Sequence, residues 1–304
     1  MKIATPEMSW PFQPVSQIST VRMHVCKWLL AVMMLVFAAS AQAQTLPLKN
    51  TTDLYNADPS KGISSSDGSA VLCKEKSSFT LNASTKTDDG TVSYTSWTWD
   101  EVDANGNPTT LSSNATPNNE KLSVINAVPG WHTYRVIASA GTAGCPADPV
   151  LYTVYVLPDL SITSSIDDNT PSLSYCAASG APTDAGKKII LNTSVSFATT
   201  PNKIQGLKDY AVTDFDLTYT WYKQEVGSTG APVQIPSVTT SSYTIADAAD
   251  NSATTEKKYN YSVKVAYTMK ACADYTATTQ YKGTAAQVNV TPKPSAPKIS
   301  ITVQ

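Results

Sequence analysis

Two short runs, each ending at or just past a tryptophan, organise the chain. Leu217-Thr218-Tyr219-Thr220-Trp221-Tyr222-Lys223 echoes Tyr94-Thr95-Ser96-Trp97-Thr98-Trp99. Both alternate aromatic with hydroxyl residues, the period of a strand whose successive side chains point to opposite faces. Cysteines frame each run: Cys73 and Cys145 around Trp99, Cys176 and Cys272 around Trp221. Downstream come Tyr134-Arg135-Val136 and Tyr261-Ser262-Val263, and each Tyr stands eleven positions before the second cysteine of its copy. Leu122-Ser123-Val124 and Tyr243-Thr244-Ile245 fill matching places between Trp and Tyr. Each copy closes on an alternating strand, through Val150, Tyr152, Val154 and Val156 or through Ala286, Val288 and Val290. An internal repeat decides architecture before composition does.

The doubled order predicts two tandem β-sandwich modules, and 304 residues suit two such units. Turn signals space the strands. Asp88-Asp89-Gly90, Asn105-Gly106 and Pro129-Gly130 punctuate the first copy, and Gly227 to Gly230 the second. The lead-in Thr45 to Ala70 reads as loop with at most an edge strand. No stretch shows helical periodicity with caps, the nearest being short turns at Ala246 to Asp250. Residues 198 to 213 are an insertion relative to the first copy. Leu157 to Thr163 is the module boundary, and Gln280 to Val290 the last strand. These signals divide the chain into 1–43, a leader; 44–157, the first module; 158–291, the second; and 292–304, a Pro-rich linker with one strand. That last strand matters, because Pro297-Lys298-Ile299-Ser300-Ile301-Thr302 repeats the pattern of Pro158-Asp159-Leu160-Ser161-Ile162-Thr163. Its favoured reading is the first strand of a third module in a longer repeat protein. The rival is a strand that adds to the sheet edge of a neighbouring molecule.

Arg22, His24 and Lys27 precede an apolar run from Trp28 to Ala39, followed by Ala41-Gln42-Ala43. This is the pattern of a secretory signal cut after Ala43, and the run is too short for a retained transmembrane segment. Residues 1 to 22 lie upstream of an ordinary signal that would begin at Met23, so Met1 reads as a misplaced start. Charged residues make up 15% of the chain and the net charge is −2, which gives no electrostatic case for nucleic acid. Cys26 leaves with the signal. Four cysteines remain in an oxidising compartment and read as a disulfide framework. Three pairings are possible, and repeat logic selects Cys73–Cys145 and Cys176–Cys272, one bridge inside each module. A zinc site would need closely spaced Cys or His pairs, which the chain lacks.

With these residues in view, the chain resembles bacterial immunoglobulin-like repeats of the polycystic-kidney-disease-like kind. The resemblance rests on Cys73, Phe79-Thr80-Leu81, Trp97-Thr98-Trp99, Tyr134-Arg135-Val136 and Gly144-Cys145 in the first module. In the second it rests on Cys176, Ile189-Ile190-Leu191, Tyr219-Thr220-Trp221, Tyr261-Ser262-Val263 and Ala271-Cys272. Antibody-type domains place a Tyr two residues before the second Cys. Here the interval is eleven, so the bridge would staple one end of a sandwich. The resemblance implies a spacer or adhesion role for a secreted or surface-exposed protein.

Trp99, Trp221, Tyr134 and Tyr261 are expected in the cores. Trp131, at a strand entrance beside Pro129-Gly130, is the candidate exposed aromatic for stacking on a sugar ring. His132 is the one histidine outside the signal region, and no Gly-x-Ser-x-Gly elbow accompanies it. Asp100, Glu101, Asp103 and Asn105 lack EF-hand spacing and read as a hairpin turn, and Asp167-Asp168-Asn169 as a polar loop. The expectation is a non-enzymatic interaction or spacer protein with no cofactor or metal, and with a protein or glycan partner. The alternative is a carbohydrate-binding accessory protein using Trp131 and Tyr281.

Overall fold

Alternating Thr, Val and Tyr residues favour pleated, half-buried strands, and the protein is nearly all β. The computed structural model describes residues 47–57, 63–65, 67–114, 119–140 and 146–301, all within one compact unit, Pro47–Gln304. The leader expected over 1–43 lies outside the described residues. Helix α1 (Thr51–Ala57) precedes β1 (Val71–Cys73), β2 (Phe79–Asn82), β3 (Ser96–Val102), β4 (Pro108–Asn114), β5 (Lys121–Val124), β6 (Gly130–Ser139) and β7 (Val150–Leu157). The second half contains β8 (Leu160–Ile166), β9 (Ser174–Cys176), β10 (Ile190–Phe197), β11 (Leu217–Glu225), β12 (Val233–Gln234) and β13 (Ser242–Thr244). It continues with β14 (Lys257–Tyr267), β15 (Tyr275–Tyr281), β16 (Thr284–Ala285) and β17 (Val288–Thr291).

The two halves use the same pairings. In the first, strands run β1-β7-β6-β3-β4 across one sheet, with β2 and β5 as a separate pair. In the second, β11 pairs β14 as β3 pairs β6, and β13 pairs β10 as β5 pairs β2. β1 lies parallel to β7 with Cys73 beside Leu157, and β9 lies parallel to β17 with Cys176 beside Thr291. Each of these cysteines then opens a single 3-10 turn, Lys74–Lys76 or Ala177–Ser179. One strand breaks the symmetry. β8 lies between β10 and β15, and among the described residues the first half has no strand in that place.

Trp99, Trp221, Tyr134 and Tyr261 are all buried. The indole nitrogens donate to matching carbonyls, Trp99 Nε1 to Asn119 O at 2.8 Å and Trp221 Nε1 to Thr240 O at 3.0 Å. Such bonds satisfy the polar edge of a buried indole.

Four local expectations need correction. The lead-in contains a helix, because Asn50 and Asp53 cap each other reciprocally: Asp53 N–H donates to Asn50 Oδ1 at 2.9 Å and Asn50 N–H to Asp53 Oδ2 at 3.1 Å. The last strand is interrupted, since β15 and β17 both pair with β14 but are separated by the turn carrying Lys282 and Gly283, both at positive φ. Asn105-Gly106 reads as a two-residue hairpin loop with both residues at positive φ, but only Gly106 has it. Gly106 N–H donates to Asp103 O at 3.0 Å, which makes a type I turn followed by a left-handed glycine. The fourth correction concerns the disulfides. The bond joins Cys73 to Cys272, 199 positions apart. It replaces both expected pairings, Cys73–Cys145 and Cys176–Cys272. Cys176 is unbonded, and Cys145 lies outside the described residues. The Cys-bearing turn of the second half folds onto the end of the first half, which places Cys272 against Cys73 and leaves Cys176 unbonded.

Candidate functional site

The junction of the two halves is built around a glycine. Gly130 has φ +108°, and a Cβ there would lie 2.2 Å from the backbone nitrogen of Asn202. Only glycine permits the close approach that follows. Asn202 N–H donates to Pro129 O at 2.7 Å, Trp131 N–H to Asn202 O at 3.0 Å, and the Asn202 side chain to Trp131 O at 2.8 Å. The insertion at 198 to 213 is therefore a latch laid over the first half. Trp131 is 3% exposed and so offers no face to a sugar, contrary to the expectation above. Its Nε1 donates to Lys208 O at 2.9 Å. Its ring begins an aromatic chain that crosses the junction: Trp131 to Tyr155 at 4.9 Å, Tyr155 to Tyr210 at 5.6 Å, Tyr210 to Phe215 at 5.6 Å, and Phe215 to Tyr267 at 5.6 Å.

Polar contacts close the rest. Tyr267 Oη donates to Pro158 O at 2.8 Å, and Tyr275 Oη to Asp159 Oδ1 at 2.9 Å. Lys270 Nζ donates to Gly68 O at 2.9 Å and also to Val71 O, and Ala273 N–H to Glu75 Oε1 at 2.7 Å. Burial pushes the Tyr155 and Tyr267 hydroxyls well above the usual phenol range and pulls Lys270 down. Glu75 stands beside Cys73 and Cys272, but both sulfurs are consumed in the disulfide, so this trio holds no thiolate for a metal.

His132 is buried with both ring nitrogens engaged, Nδ1 with Glu101 Oε1 at 2.7 Å and Nε2 with Val128 O at 2.8 Å. A general base needs a nitrogen facing its nucleophile, and His132 presents none. Asp100 is buried against Arg135, Nε to Oδ2 at 2.8 Å, and accepts from Thr110 Oγ1 at 2.9 Å. Asp103 accepts the N–H groups of Asn105 and Asn107, and Asp167 that of Asn169, each within its own turn. In the second half, Asp247 takes a hydrogen bond from Tyr175 Oη and an ion pair from Lys223 Nζ at 2.5 Å, and Lys223 sits 4.0 Å over the Tyr259 ring. Its neighbours line a polar cleft of about 400 Å³. Tyr281 is partly buried and donates to Thr170 O at 3.0 Å.

The first half has a groove of about 750 Å³ between β2 and β7. Leu81 and Ala83 form one wall, Val150 and Tyr152 the other, and Trp99 and Val136 are on its floor. The corresponding space in the second half is filled by β8. Phe79 and Leu81 are only half-buried, whereas the matching Ile189 and Leu191 are fully buried. Sequence reading missed this groove, because a place with no strand among the described residues leaves no pattern to read.

No family model and no curated protein matches this chain. Among solved structures, 101 chains match. The fibronectin(III)-like modules of Clostridium thermocellum CbhA are 12% identical over 70% of this chain and 88% of that one, with a TM-score of 0.26. The FN1-FN3 domains of chicken CNTN1 are 14% identical over 72% of this chain and 64% of that one, also with a TM-score of 0.26. Neither likeness assigns this chain to a family.

Proposed function

We propose that this chain is a non-enzymatic, exported module protein: two tandem immunoglobulin-like sandwiches acting as a stiff spacer or interaction module at the cell surface or outside it. The observation that carries the reading is the closed junction. The Cys73–Cys272 disulfide, the aromatic chain from Trp131 to Tyr267 and the Asn202 latch tie the halves into one body. Independent modules joined by a linker would swing, whereas a spacer has to hold its ends apart. Export is supported by the signal pattern ending at Ala43 and by a disulfide that closes 199 positions, a bond that persists in oxidising compartments. Two measurements test the reading. Small-angle scattering of the oxidised protein should fit one fixed arrangement of the halves, and a profile that requires a broad ensemble of inter-module angles would refute the spacer. Amino-terminal sequencing of the exported protein should begin at Gln44, and recovery only inside the cell with the leader intact would refute export.

A further inference from the structure

The outer end of the second half departs from its twin in the first. β14 meets the junction at Tyr267, whose hydroxyl donates to Pro158 O, so its first residues lie at the end away from the first half. Strand register sets the correspondence. Gly130 pairs with Val156, one place before the residue beside Cys73, and Lys257 pairs with Val290, one place before the residue beside Cys176. By the same register Trp131 corresponds to Lys258 and Tyr155 to Asn289. Where the first half has a glycine and two aromatics to accept the latch, the second has two lysines and an asparagine. The loop before the strand differs as well. Val124 to Gly130 spans six positions and Ile245 to Lys257 twelve. The extra length brings Asp250, Ser252, Thr254 and Thr255 to the wall of the cleft beside Asp247. In the place of a socket for a neighbouring module, the second half has a polar cleft.

The groups around the cleft show which guest it suits. Asp247 uses one oxygen, Oδ2, for both Tyr175 Oη and Lys223 Nζ, and its Oδ1 has no hydrogen-bond partner among the described residues. Tyr261 lies behind it, 1% exposed, and its hydroxyl is unpartnered too. Asp247, Tyr175 and Tyr259, all on the cleft wall, are among the polar groups that act on that hydroxyl. A buried hydroxyl without a partner is costly, and native structures leave few of them. The charges, by contrast, are met. Lys223 stands 2.5 Å from Asp247, and Asp250 accepts the N–H and the hydroxyl of Ser252 at 2.8 and 2.6 Å. Lys257 pairs with Glu225 at 3.3 Å. A cationic or anionic guest finds no uncompensated charge here. A guest rich in hydroxyls finds an acceptor in Asp247 Oδ1, donors and acceptors in the loop hydroxyls, and the Tyr259 ring to lie against.

We propose that this cleft binds one neutral sugar residue, held by Asp247 Oδ1 and the hydroxyls of Ser252, Thr254 and Thr255 and packed against Tyr259. Its volume of about 400 Å³ is at the small end for ligand sites, which suits a single ring rather than a chain of them. The site shares no residue with Trp131 or Tyr281, the aromatics that the sequence singled out. It goes beyond a spacer role, because it puts recognition at the end of the second half away from the junction.

The test titrates the purified, nitrogen-15-labelled protein with glucose, galactose, mannose and N-acetylglucosamine, and with glucosamine and glucuronate as charged controls. The expected result is saturable shifts at the amides of Asp247, Ser252, Thr254, Thr255 and Tyr259 with at least one neutral sugar. For a guest of about a dozen heavy atoms the Kd should be about 1–10 mM. Thr254→Arg, on the exposed rim, fills the cleft and should raise that Kd by about tenfold or more without changing the melting temperature. Asp247→Asn should weaken binding to a similar degree. It also loosens the ion pair with Lys223, so its melting temperature is read alongside, and Thr254→Arg decides where Asp247→Asn fails to fold. Absence of saturable shifts at these amides with every neutral sugar of the set, at concentrations well above that range, overturns the proposal. So does tighter binding of glucosamine or glucuronate than of any neutral sugar, a shift confined to residues elsewhere, or a Kd that Thr254→Arg leaves unchanged.

Discussion

Replacing Cys73 and Cys272 together by Ala removes the bond between the halves while leaving Cys145 and Cys176 in place. Both positions tolerate the smaller side chain sterically, and alanine leaves no unpaired polar atom behind. The bond closes a loop of 199 positions. In the chain-entropy model, cross-linking a loop of that length removes about 18 cal/mol/K from the unfolded ensemble, or about 5 kcal/mol at 25 °C. Against a total of roughly 5–15 kcal/mol for a native protein, this is a large share. With a urea slope of about 3 kcal/mol/M for a chain of this size, the midpoint should fall by roughly 1.5–2 M. The structure adds a qualitative expectation. The aromatic chain and the latch still couple the halves, so the variant should unfold at lower urea with the halves beginning to separate into two transitions, while the parent shows one. Equilibrium urea titration followed by tryptophan fluorescence and by far-ultraviolet circular dichroism reads both effects. A midpoint shift below about 0.3 M, under about 1 kcal/mol, would refute the bond as the principal tie across the junction.

Trp131→Ala should destabilise by about 3–5 kcal/mol as a buried aromatic truncation, and Trp131→Phe by about 1 kcal/mol through loss of the bond to Lys208 O; thermal or urea unfolding decides, and a neutral Trp131→Ala would return this residue to the surface. Gly130→Ala should cost about 1–3 kcal/mol, because its Cβ would collide with Asn202 and its φ is left-handed; hydrogen exchange should show lost protection at the Asn202 amide, and unchanged protection there would contradict the latch. Stability should fall as pH rises above about 10, because burial raises the hydroxyls of Tyr134, Tyr155, Tyr175, Tyr261 and Tyr267 above their unfolded value. Their contribution is complete below the unfolded pKa and is lost as the folded values are approached, since the unfolded chain releases those protons first. Tyrosinate absorbance should therefore rise together with unfolding, and a smooth titration near pH 10 in a folded protein would refute this.

Much of the strand framework was written locally. Alternation placed the tryptophan strands, and β7 begins at Val150 and ends at Leu157, where alternating apolar residues begin and Pro158 follows. Trp99 and Trp221 occupy matching places because their strands carry the same period, and their indoles find carbonyls 20 and 19 positions downstream. The helix at Thr51–Ala57 escaped notice because its reciprocal cap uses Asp53 where Glu or Gln is the usual signal. Residues 198 to 213 were legible as an insertion, but their service as a latch was not.

The tertiary structure decided what depends on how the halves meet. A cysteine's sequence shows that it can bond but not which partner the fold sets beside it, and Cys272 reaches Cys73 because its turn packs onto the end of the first half. Trp131 beside a Pro-Gly turn reads as exposed, and it is buried by residues 71 to 79 positions away that no local window contains. The groove belongs to the same class, since a strand present in one half has no counterpart among the described residues of the other. Period and turn chemistry act over a few residues and are read from the chain directly. Contacts closed by stacking are set by the shape of surfaces that exist only after both halves have folded.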